Sequence, residues 1–113
     1  MVLSTESIDG ITVVGLPDRL TTTNCPAFKK DMEQLMKDNT RIVFDMAQLN
    51  YMDSSALGAV VGCLKHLREV EGDLKLCAMT SRVRALFELV RMHQVFEIFD
   101  TRQSAVDSFK KKN

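Results

Sequence analysis

Two adjacent serines follow an aspartate at the point where a helical pattern begins. The stretch N-Y-M-D-S-S-A-L-G contains Asp53, Ser54 and Ser55. A serine acts as a nucleophile when a general base lies within hydrogen-bonding distance and a third group orients that base. A hydroxyl at the start of a helix can instead cap the helix, or accept a phosphoryl group from another enzyme. Catalysis requires a base and an orienting group elsewhere in the chain, whereas capping and phosphorylation by another enzyme do not.

Neither histidine of the sequence is placed to activate these serines. His66 follows Ser54 on the same predicted helix, and twelve residues of helix separate the two side chains by about 18 Å. His93 lies near the end of another predicted helix. The D-S-S-A-L-G stretch also lacks the G-x-S-x-G pattern of hydrolases. We therefore expect no catalytic residue, and a protein that is not an enzyme.

Patterns typical of metal or nucleotide sites are missing from the sequence. It contains no H-E-x-x-H, no spaced set of His and Cys, and no EF-hand loop. Gly58 and Gly62 are too closely spaced for a phosphate-binding loop, and no Lys-Ser or Lys-Thr pair follows them. We interpret these glycines as a low ridge that lets their helix pack closely on a sheet. We expect neither a metal ion nor a cofactor.

Length and charge limit the remaining function classes. The chain has 113 residues, which predicts a single domain over residues 1–113. Fifteen basic residues balance fifteen acidic residues, so we expect no binding to nucleic acid or to a membrane. The cluster Lys110-Lys111-Lys112 is interpreted as a solvated tail.

The cysteines and the first residues indicate the compartment. Cys25, Cys63 and Cys77 are an odd number without a C-x-x-C pair, so we predict free thiols. The first ten residues lack the pattern of a signal peptide, and no apolar run reaches about 18 residues. We expect a soluble, cytoplasmic protein.

Hydrophobic periodicity predicts an α/β fold in the order β-β-α-β-α-β-α-β-α. Alternating strands and helices imply parallel strand pairs with right-handed crossovers, and hence a mixed, mostly parallel sheet with about four helices packed against it. A tight turn at Asp9-Gly10 joins the first two strands. The strands are predicted over residues 2–7, 11–16, 41–46, 73–79 and 96–99, and the helices over residues 21–38, 54–71, 80–93 and from about 101 onward.

Capping residues and buried faces follow from the same patterns. A threonine or Asn24 caps the first helix with Pro26 in its first turn, and Gly72 ends the second helix in the left-handed conformation. Either member of the pairs Asp53/Ser54, Thr80/Ser81 and Asp100/Thr101 can cap the later helices. The predicted buried residues of three of the helices are Phe28, Met32, Leu35, Met36, Val83, Leu86, Phe87, Val90, Ala105, Val106 and Phe109.

The residues alone leave two roles open for the serine pair. One role is capping only, for which Asp53 already suffices. The other role is a phosphorylation switch, because a phosphate adds about −1.5 to −2 charges at a helix end that tolerates them. Such a charge would leave the fold intact and repel a partner that buries the loop.

A longer stretch around the serines carries a family resemblance. R-I-V-F-D-M-A-Q-L-N-Y-M-D-S-S-A-L-G resembles the signature of STAS domains, specifically the single-domain anti-anti-sigma factors, also called anti-sigma factor antagonists. The matching positions are Phe44-Asp45, Tyr51 to Ser55 and Leu57-Gly58. Two departures are Ala56, where the family usually has glycine, and Thr21, where the family has aspartate. The resemblance extends through most of the remaining chain.

The resemblance implies a function in partner switching. In this family an anti-sigma factor serine kinase with a histidine-kinase-like ATPase fold phosphorylates the serine after the motif aspartate, which is Ser54 here, with Ser55 as second candidate. A PP2C-type serine phosphatase reverses the modification. The unphosphorylated protein binds the kinase and releases a sigma factor or another client. The resemblance places the partner-binding surface on Thr21, Thr22, Thr23, Asn24, Tyr51, Met52, Asp53, Ser54, Ser55, Ala56, Leu57 and Gly58.

An alternative within the same family is a scaffold subunit of a larger signalling assembly. A phosphorylation-switched module is expected to be a monomer or a weak dimer, whereas a scaffold would elute with a very large partner complex. Size-exclusion chromatography with light scattering separates these two hypotheses.

Overall fold

The computed structural model describes residues 3–110. Over these residues the chain forms a five-stranded sheet, a separate pair of short strands and four α-helices. The elements, in chain order, are β1 Ser4–Ile8, β2 Ile11–Gly15, β3 Arg19–Leu20, α1 Cys25–Met36, β4 Arg41–Asp45, β5 Tyr51–Met52, α2 Ser54–Glu69, β6 Asp73–Cys77, α3 Ser81–Leu89, a 3₁₀ turn Met92–Gln94, β7 Ile98–Phe99 and α4 Arg102–Lys110.

The main sheet has the strand order β1-β2-β4-β6-β7. β1 and β2 are antiparallel, and every other neighbouring pair is parallel. Asp9 and Gly10 both have positive φ, as a two-residue hairpin turn of the favoured twist requires. The predicted mixed, mostly parallel sheet and its hairpin are thus confirmed. Residue 2 of the predicted first strand, and residues 111–112 of the predicted tail, lie outside the described residues.

Helices cover both faces of this sheet. Side chains of α1, α2 and α3 pack on one face together with Ile42 and Phe44 of β4. Val43, between them in sequence, points to the other face, where Val106 and Phe109 of α4 cover it. Successive side chains of a strand alternate between the faces, so β4 is buried on both sides.

The short strands β3 and β5 were not predicted from the sequence. They pair in parallel, with Arg19 opposite Tyr51 and Leu20 opposite Met52. Two-residue strands are too short for a periodic pattern, which is why the sequence gives no sign of them. Their pairing brings the segment before α1 alongside the segment before α2.

The end of α2 differs from the prediction. The helix stops at Glu69, and Glu71, not Gly72, takes the left-handed conformation with φ of 65°. Gly72 is required for another reason: a Cβ atom there would lie 2.1 Å from the carbonyl oxygen of Thr40. The glycine therefore permits a close backbone approach at the start of β6.

The predicted third helix is too long. α3 ends at Leu89, after which Arg91 takes a left-handed conformation and a 3₁₀ turn follows. Val90 was predicted to be buried and is 40% exposed, because it lies beyond the last helical turn. Leu86 and Leu35, also predicted to be buried, are only partly buried against the core.

The ridge formed by Gly58 and Gly62 faces away from the sheet, contrary to the prediction. Both glycines are exposed, and apart from its chain neighbours and the backbone of its own helix an added Cβ atom would meet no atom within 4 Å at either position. They line a groove of about 540 Å³ between α1 and α2, together with Met32 and Met36. Ala59, Val60, Cys63 and Leu64 are buried in their place.

Most helix starts agree with the predicted caps. The hydroxyl of Thr80 accepts from the Val83 N–H at 3.3 Å, and that of Thr101 accepts from the Ser104 N–H at 3.0 Å. Asn24 holds the capping position of α1, but its side chain makes no capping bond to the helix. It accepts from the Thr21 N–H and donates to the Arg19 carbonyl oxygen, both at 2.8 Å, and so closes the loop before the helix.

Candidate functional site

Asp53, rather than Ser54, caps α2. Its backbone is extended, and its Oδ1 accepts a hydrogen bond from the Ala56 N–H at 3.0 Å. The preceding residue, Met52, is buried in the core and ends the short strand β5. Because Met52 anchors β5 in the core, the strand positions the carboxylate of Asp53 at the start of α2.

The two serines of the first turn differ in their surroundings although both are exposed. The Oγ of Ser55 lies 3.0 Å from the Oγ1 of Thr22 and shares a hydrogen bond with it. Over residues 3–110, no hydrogen bond engages the hydroxyl of Ser54. Ser54 therefore presents an unengaged hydroxyl at the helix N-terminus.

The loop before α1 is held against this helix start by Thr22. The Thr22 N–H donates to Oδ2 of Asp53 at 2.9 Å, and the Thr22 hydroxyl lies 3.1 Å from the same oxygen. Thr21 and Thr23 bond to each other within the loop, through the Thr23 N–H and the Thr21 hydroxyl. Both oxygens of Asp53 consequently accept hydrogen bonds: Oδ1 from α2, and Oδ2 from the loop before α1.

These donors hold Asp53 in its ionised form. The N–H groups of Ala56 and then Thr22 lower the pKa of the Asp53 carboxyl, because hydrogen bonds to the charged form favour it. The site therefore carries a negative charge at neutral pH, next to both serine hydroxyls.

Tyr51 extends the exposed surface on the strand side. Its ring is 43% exposed, and the guanidinium of Arg19 lies 4.9 Å from the ring centroid, within the range of a cation–π contact. Asn50 donates to the Asp18 carboxylate at 2.8 Å, which ties the same two segments together. The pairing of β3 with β5 thus places the loop before α1 beside Tyr51 and the start of α2.

Two of the predicted partner-binding residues do not reach that surface. Met52 and Ala56 are buried, so their side chains support the site from below. The methyl group of Ala56, which replaces the family's usual glycine, points into the core and leaves the outer face of the first turn open. The other predicted residues are exposed or half-buried: Thr21, Thr22, Thr23, Asn24, Tyr51, Asp53, Ser54, Ser55, Leu57 and Gly58.

Comparison with known proteins identifies the family. The model of the STAS domain family matches residues 3–105. The chain belongs to the STAS domain family. This STAS domain is 31% identical over 111 residues to BtrV of Bordetella bronchiseptica, covering 97% of this chain and 96% of that protein. It is 34% identical over 95 residues to the anti-sigma-B factor antagonist of Listeria monocytogenes, covering 83% and 80% of the two chains.

Solved structures show the same fold. A Thermotoga maritima protein superimposes with a TM-score of 0.89 at 22% identity, covering 96% of this chain and 95% of its own. SpoIIAA, a Bacillus cell fate determinant solved in its phosphorylated form, gives a TM-score of 0.73 at 21% identity, with coverage of 96% and 99%. The predicted STAS fold is thereby confirmed.

Within residues 3–110 no histidine or cysteine forms a hydrogen bond with either serine. Cys25, at the start of α1, is near enough to the site that burial and then the charge of Asp53 raise the pKa of its thiol. His66 lines the groove between α1 and α2, and His93 lies in the 3₁₀ turn. The three cysteines are free and buried, as predicted for free thiols, and burial raises the pKa of Cys63 and of Cys77 to about 12. Such thiols are protonated and unreactive at neutral pH.

Residues 3–110 contain neither a candidate metal-binding cluster nor a candidate membrane-spanning helix. No three His, Cys, Asp or Glu side chains are grouped closely enough there to hold a metal ion. No helix in the same residues has the length and apolar character needed to cross a bilayer.

Thr22 is the functional candidate whose role the sequence did not indicate. The family motif places its acidic residue at Thr21, yet the structure places the next residue, Thr22, on Asp53 and Ser55. The contact spans more than thirty positions of the chain and depends on the pairing of β3 with β5. Threonine in a polar run has no distinguishing pattern, so no sequence signal marks it.

Proposed function

We propose that this STAS domain is an anti-sigma factor antagonist that is switched by phosphorylation of Ser54. In its unphosphorylated form it binds an anti-sigma factor serine kinase of the histidine-kinase-like ATPase fold in the cytoplasm. Binding releases the sigma factor, or another client, from that kinase. The observation that carries the proposal is the exposed, unengaged hydroxyl of Ser54 beside the ionised carboxylate of Asp53 at the start of α2.

The reaction at Ser54 needs no base from this chain. The Ser54 Oγ forms a bond to the γ-phosphorus of ATP while the bond from that phosphorus to the β-phosphate oxygen breaks. The hydroxyl proton goes to a base of the kinase, and ADP leaves. Because the kinase supplies the base, the serine can be phosphorylated without a histidine of this chain nearby.

Added charge at this position separates the partners and leaves the fold intact. A phosphate carries about −1.5 to −2 charges at pH 7. The N-terminus of α2 accommodates that charge, because a helix N-terminus has positive potential. Asp53 repels it, and a partner that buries the helix start would have to desolvate both negative groups. Affinity for the kinase therefore falls on phosphorylation.

The named relatives support this function. The Listeria relative is an anti-sigma-B factor antagonist, and SpoIIAA is an anti-sigma factor antagonist whose structures include unphosphorylated and phosphorylated forms. A PP2C-type serine phosphatase would complete the cycle by hydrolysing the phosphoserine. The kinase would contact the exposed loop 21–24, the ring of Tyr51 and the first turn of α2.

The first prediction concerns two substitutions of Ser54. Ser54→Glu places a permanent negative charge at the helix start and is expected to weaken binding to the cognate kinase at least about tenfold, which corresponds to about 1.4 kcal/mol. Ser54→Ala removes the phosphate acceptor and is expected to bind regardless of ATP. The kinase is obtained by copurification from the native cells, and binding is measured by calorimetry with and without ATP.

Ser81 offers a matched control for this experiment. It is the exposed first residue of α3 and follows the capping residue Thr80, as Ser54 follows Asp53. Ser81→Glu therefore adds the same charge in the same helical position at another helix. Equal binding by Ser54→Glu and Ser54→Ala would refute the switch.

A further inference from the structure

The hydroxyl of Thr22 has one proton and two oxygen neighbours. Its Oγ1 lies 3.1 Å from Oδ2 of Asp53 and 3.0 Å from the Oγ of Ser55. An ionised carboxylate can only accept hydrogen bonds. The Thr22 proton is therefore donated to Asp53, and the proton in the second bond has to come from Ser55. The result is a directed chain from Ser55 through Thr22 to Asp53.

The direction of this chain is stable because Asp53 stays ionised. The Ala56 N–H holds one carboxylate oxygen at 3.0 Å, and the Thr22 N–H holds the other at 2.9 Å. A carboxylate that accepts several hydrogen bonds is a weak base and does not take the proton from Thr22. Ser55 thus keeps its proton, and that proton points toward Thr22.

We propose that Thr22 is a positioning residue that directs phosphoryl transfer to Ser54 by holding the hydroxyl proton of Ser55. The inference rests on the proposed function and deepens it, since it assigns the acceptor within the serine pair. A kinase base has to receive the acceptor's proton as the oxygen–phosphorus bond forms. Ser54 can turn its proton to that base, whereas Ser55 first has to break its bond to Thr22.

The transfer leaves the Ser55–Thr22–Asp53 chain unchanged. The new bond joins the Ser54 Oγ to the γ-phosphorus of ATP, the bond to the β-phosphate oxygen breaks, and the Ser54 proton goes to the kinase. Ser55 and Thr22 retain their protons, and Asp53 stays ionised. A hydrogen bond between uncharged groups gives a preference on the order of fivefold.

Thr22→Val tests the proposal because it keeps the shape of the side chain and the backbone N–H, and removes only the hydroxyl. The protein is incubated with ATP and the kinase that copurifies from its native cells, and phosphate on each serine is quantified by mass spectrometry of the peptides. We expect the ratio of phosphoserine 55 to phosphoserine 54 to rise about fivefold. Thr22→Ser restores the hydroxyl and is expected to restore the wild-type ratio.

Two further comparisons separate positioning from a structural role. Ser54→Ala combined with Thr22→Val is expected to gain phosphate on Ser55 relative to Ser54→Ala alone. Thr5→Val makes the same substitution at an exposed position of β1, far along the chain from the site, and is expected to leave the ratio unchanged. An equal fall of phosphate on both serines in Thr22→Val, without redistribution, would show a purely structural role and overturn the inference.

A measurement without the kinase tests the hydrogen-bonded chain directly. Carbon-13 NMR of the Asp53 carboxyl follows its titration in the wild type and in the Thr22 variants. Thr22→Val is expected to raise the pKa of Asp53, because one donor to the charged form is lost. Thr22→Ser is expected to restore it.

The outcomes distinguish this inference from the proposed function. If the wild type is phosphorylated on Ser55, or if Thr22→Val changes neither the serine ratio nor the Asp53 titration, the inference is wrong while switching by charge can still hold. If the wild type receives phosphate on neither serine, both are wrong.

Discussion

Asp53 combines three contributions in a single side chain. It caps α2 through Oδ1, binds the loop before α1 through Oδ2, and supplies the negative charge that a phosphate on Ser54 would oppose. The first contribution is local, because a capping aspartate needs only the helix that follows it. The second needs Thr22, which a different part of the chain provides. A change at this one residue therefore affects both the helix start and the loop.

The pH dependence of stability is the prediction at this scale. Because the pKa of Asp53 is lower in the folded state than in the unfolded state, its contribution is complete above the unfolded value and is lost as pH falls through the folded value. Urea unfolding from about pH 5 down to about pH 2 measures this loss. Asp53→Asn keeps a capping side chain without the titration, so we expect a smaller loss of stability over this range than in the wild type. If the free energy of unfolding falls equally with pH in Asp53→Asn and in the wild type, Asp53 is not the group responsible.

At the scale of single elements, four of the five glycines of this domain occupy three different environments. Gly10 allows the positive φ of the hairpin turn between β1 and β2. Gly72 allows β6 to start against the backbone of Thr40. Gly58 and Gly62 lie in the interior of α2 with open space where a Cβ atom would be. Only the first two are needed for the fold, because only they meet a conformational or steric requirement.

Alanine substitutions are expected to change stability in opposite directions at these positions. Gly62→Ala should raise the free energy of unfolding by about 1 kcal/mol, because alanine favours an exposed helix interior. Gly72→Ala should lower it by about 1 to 3 kcal/mol, because the methyl group would overlap the Thr40 carbonyl oxygen. Chemical denaturation of both variants provides the measurement. A loss of stability in Gly62→Ala would indicate that the glycine has a packing role in the folded chain.

At the scale of the whole molecule, α4 is attached to the sheet by charge as well as by apolar packing. Arg102, at its first turn, donates to Oδ2 of Asp45 at the end of β4 and also pairs with Glu6 of β1. On β6, Lys75 is nearly buried, with its ammonium 4.3 Å from the ring centroid of Phe109 and 2.8 Å from the Ser108 hydroxyl. These contacts join the last helix to three strands.

Removal of Arg102 tests this attachment. Arg102→Met keeps an apolar stem and leaves the largely buried Asp45 carboxylate without its cation, so we expect a loss of about 1 to 2 kcal/mol, reduced by the 40% exposure of the Arg102 side chain. Lys110→Met, which breaks the exposed pair with Asp9, serves as the control and should lose clearly less stability, because solvent screens an exposed pair. Thermal unfolding reports both. Equal effects of the two substitutions would mean that the burial of Asp45 is unimportant.

The amino-acid sequence by itself determined the class of fold, the position of α2 and the identity of the exposed serine pair. The continuous apolar run of β4 and the spacing of apolar residues in α2 are local patterns, and capping depends on the residues next to a helix. For the same reason the motif around Asp53 could be recognised. The ends of α2 and α3 were less predictable, because Glu71 and Arg91 take left-handed conformations that the sequence does not favour.

Only the tertiary structure decided how the two serines differ. Ser54 and Ser55 are identical in type and adjacent in the chain, and both lie in the first turn of α2. The difference arises because β3 pairs with β5 and brings Thr22 within hydrogen-bonding distance of one hydroxyl and not the other. A hydrogen bond forms only when donor and acceptor lie within a narrow range of distances. The distance between two segments that are far apart in the chain is set by the packing of the whole domain, which a local sequence pattern does not reveal.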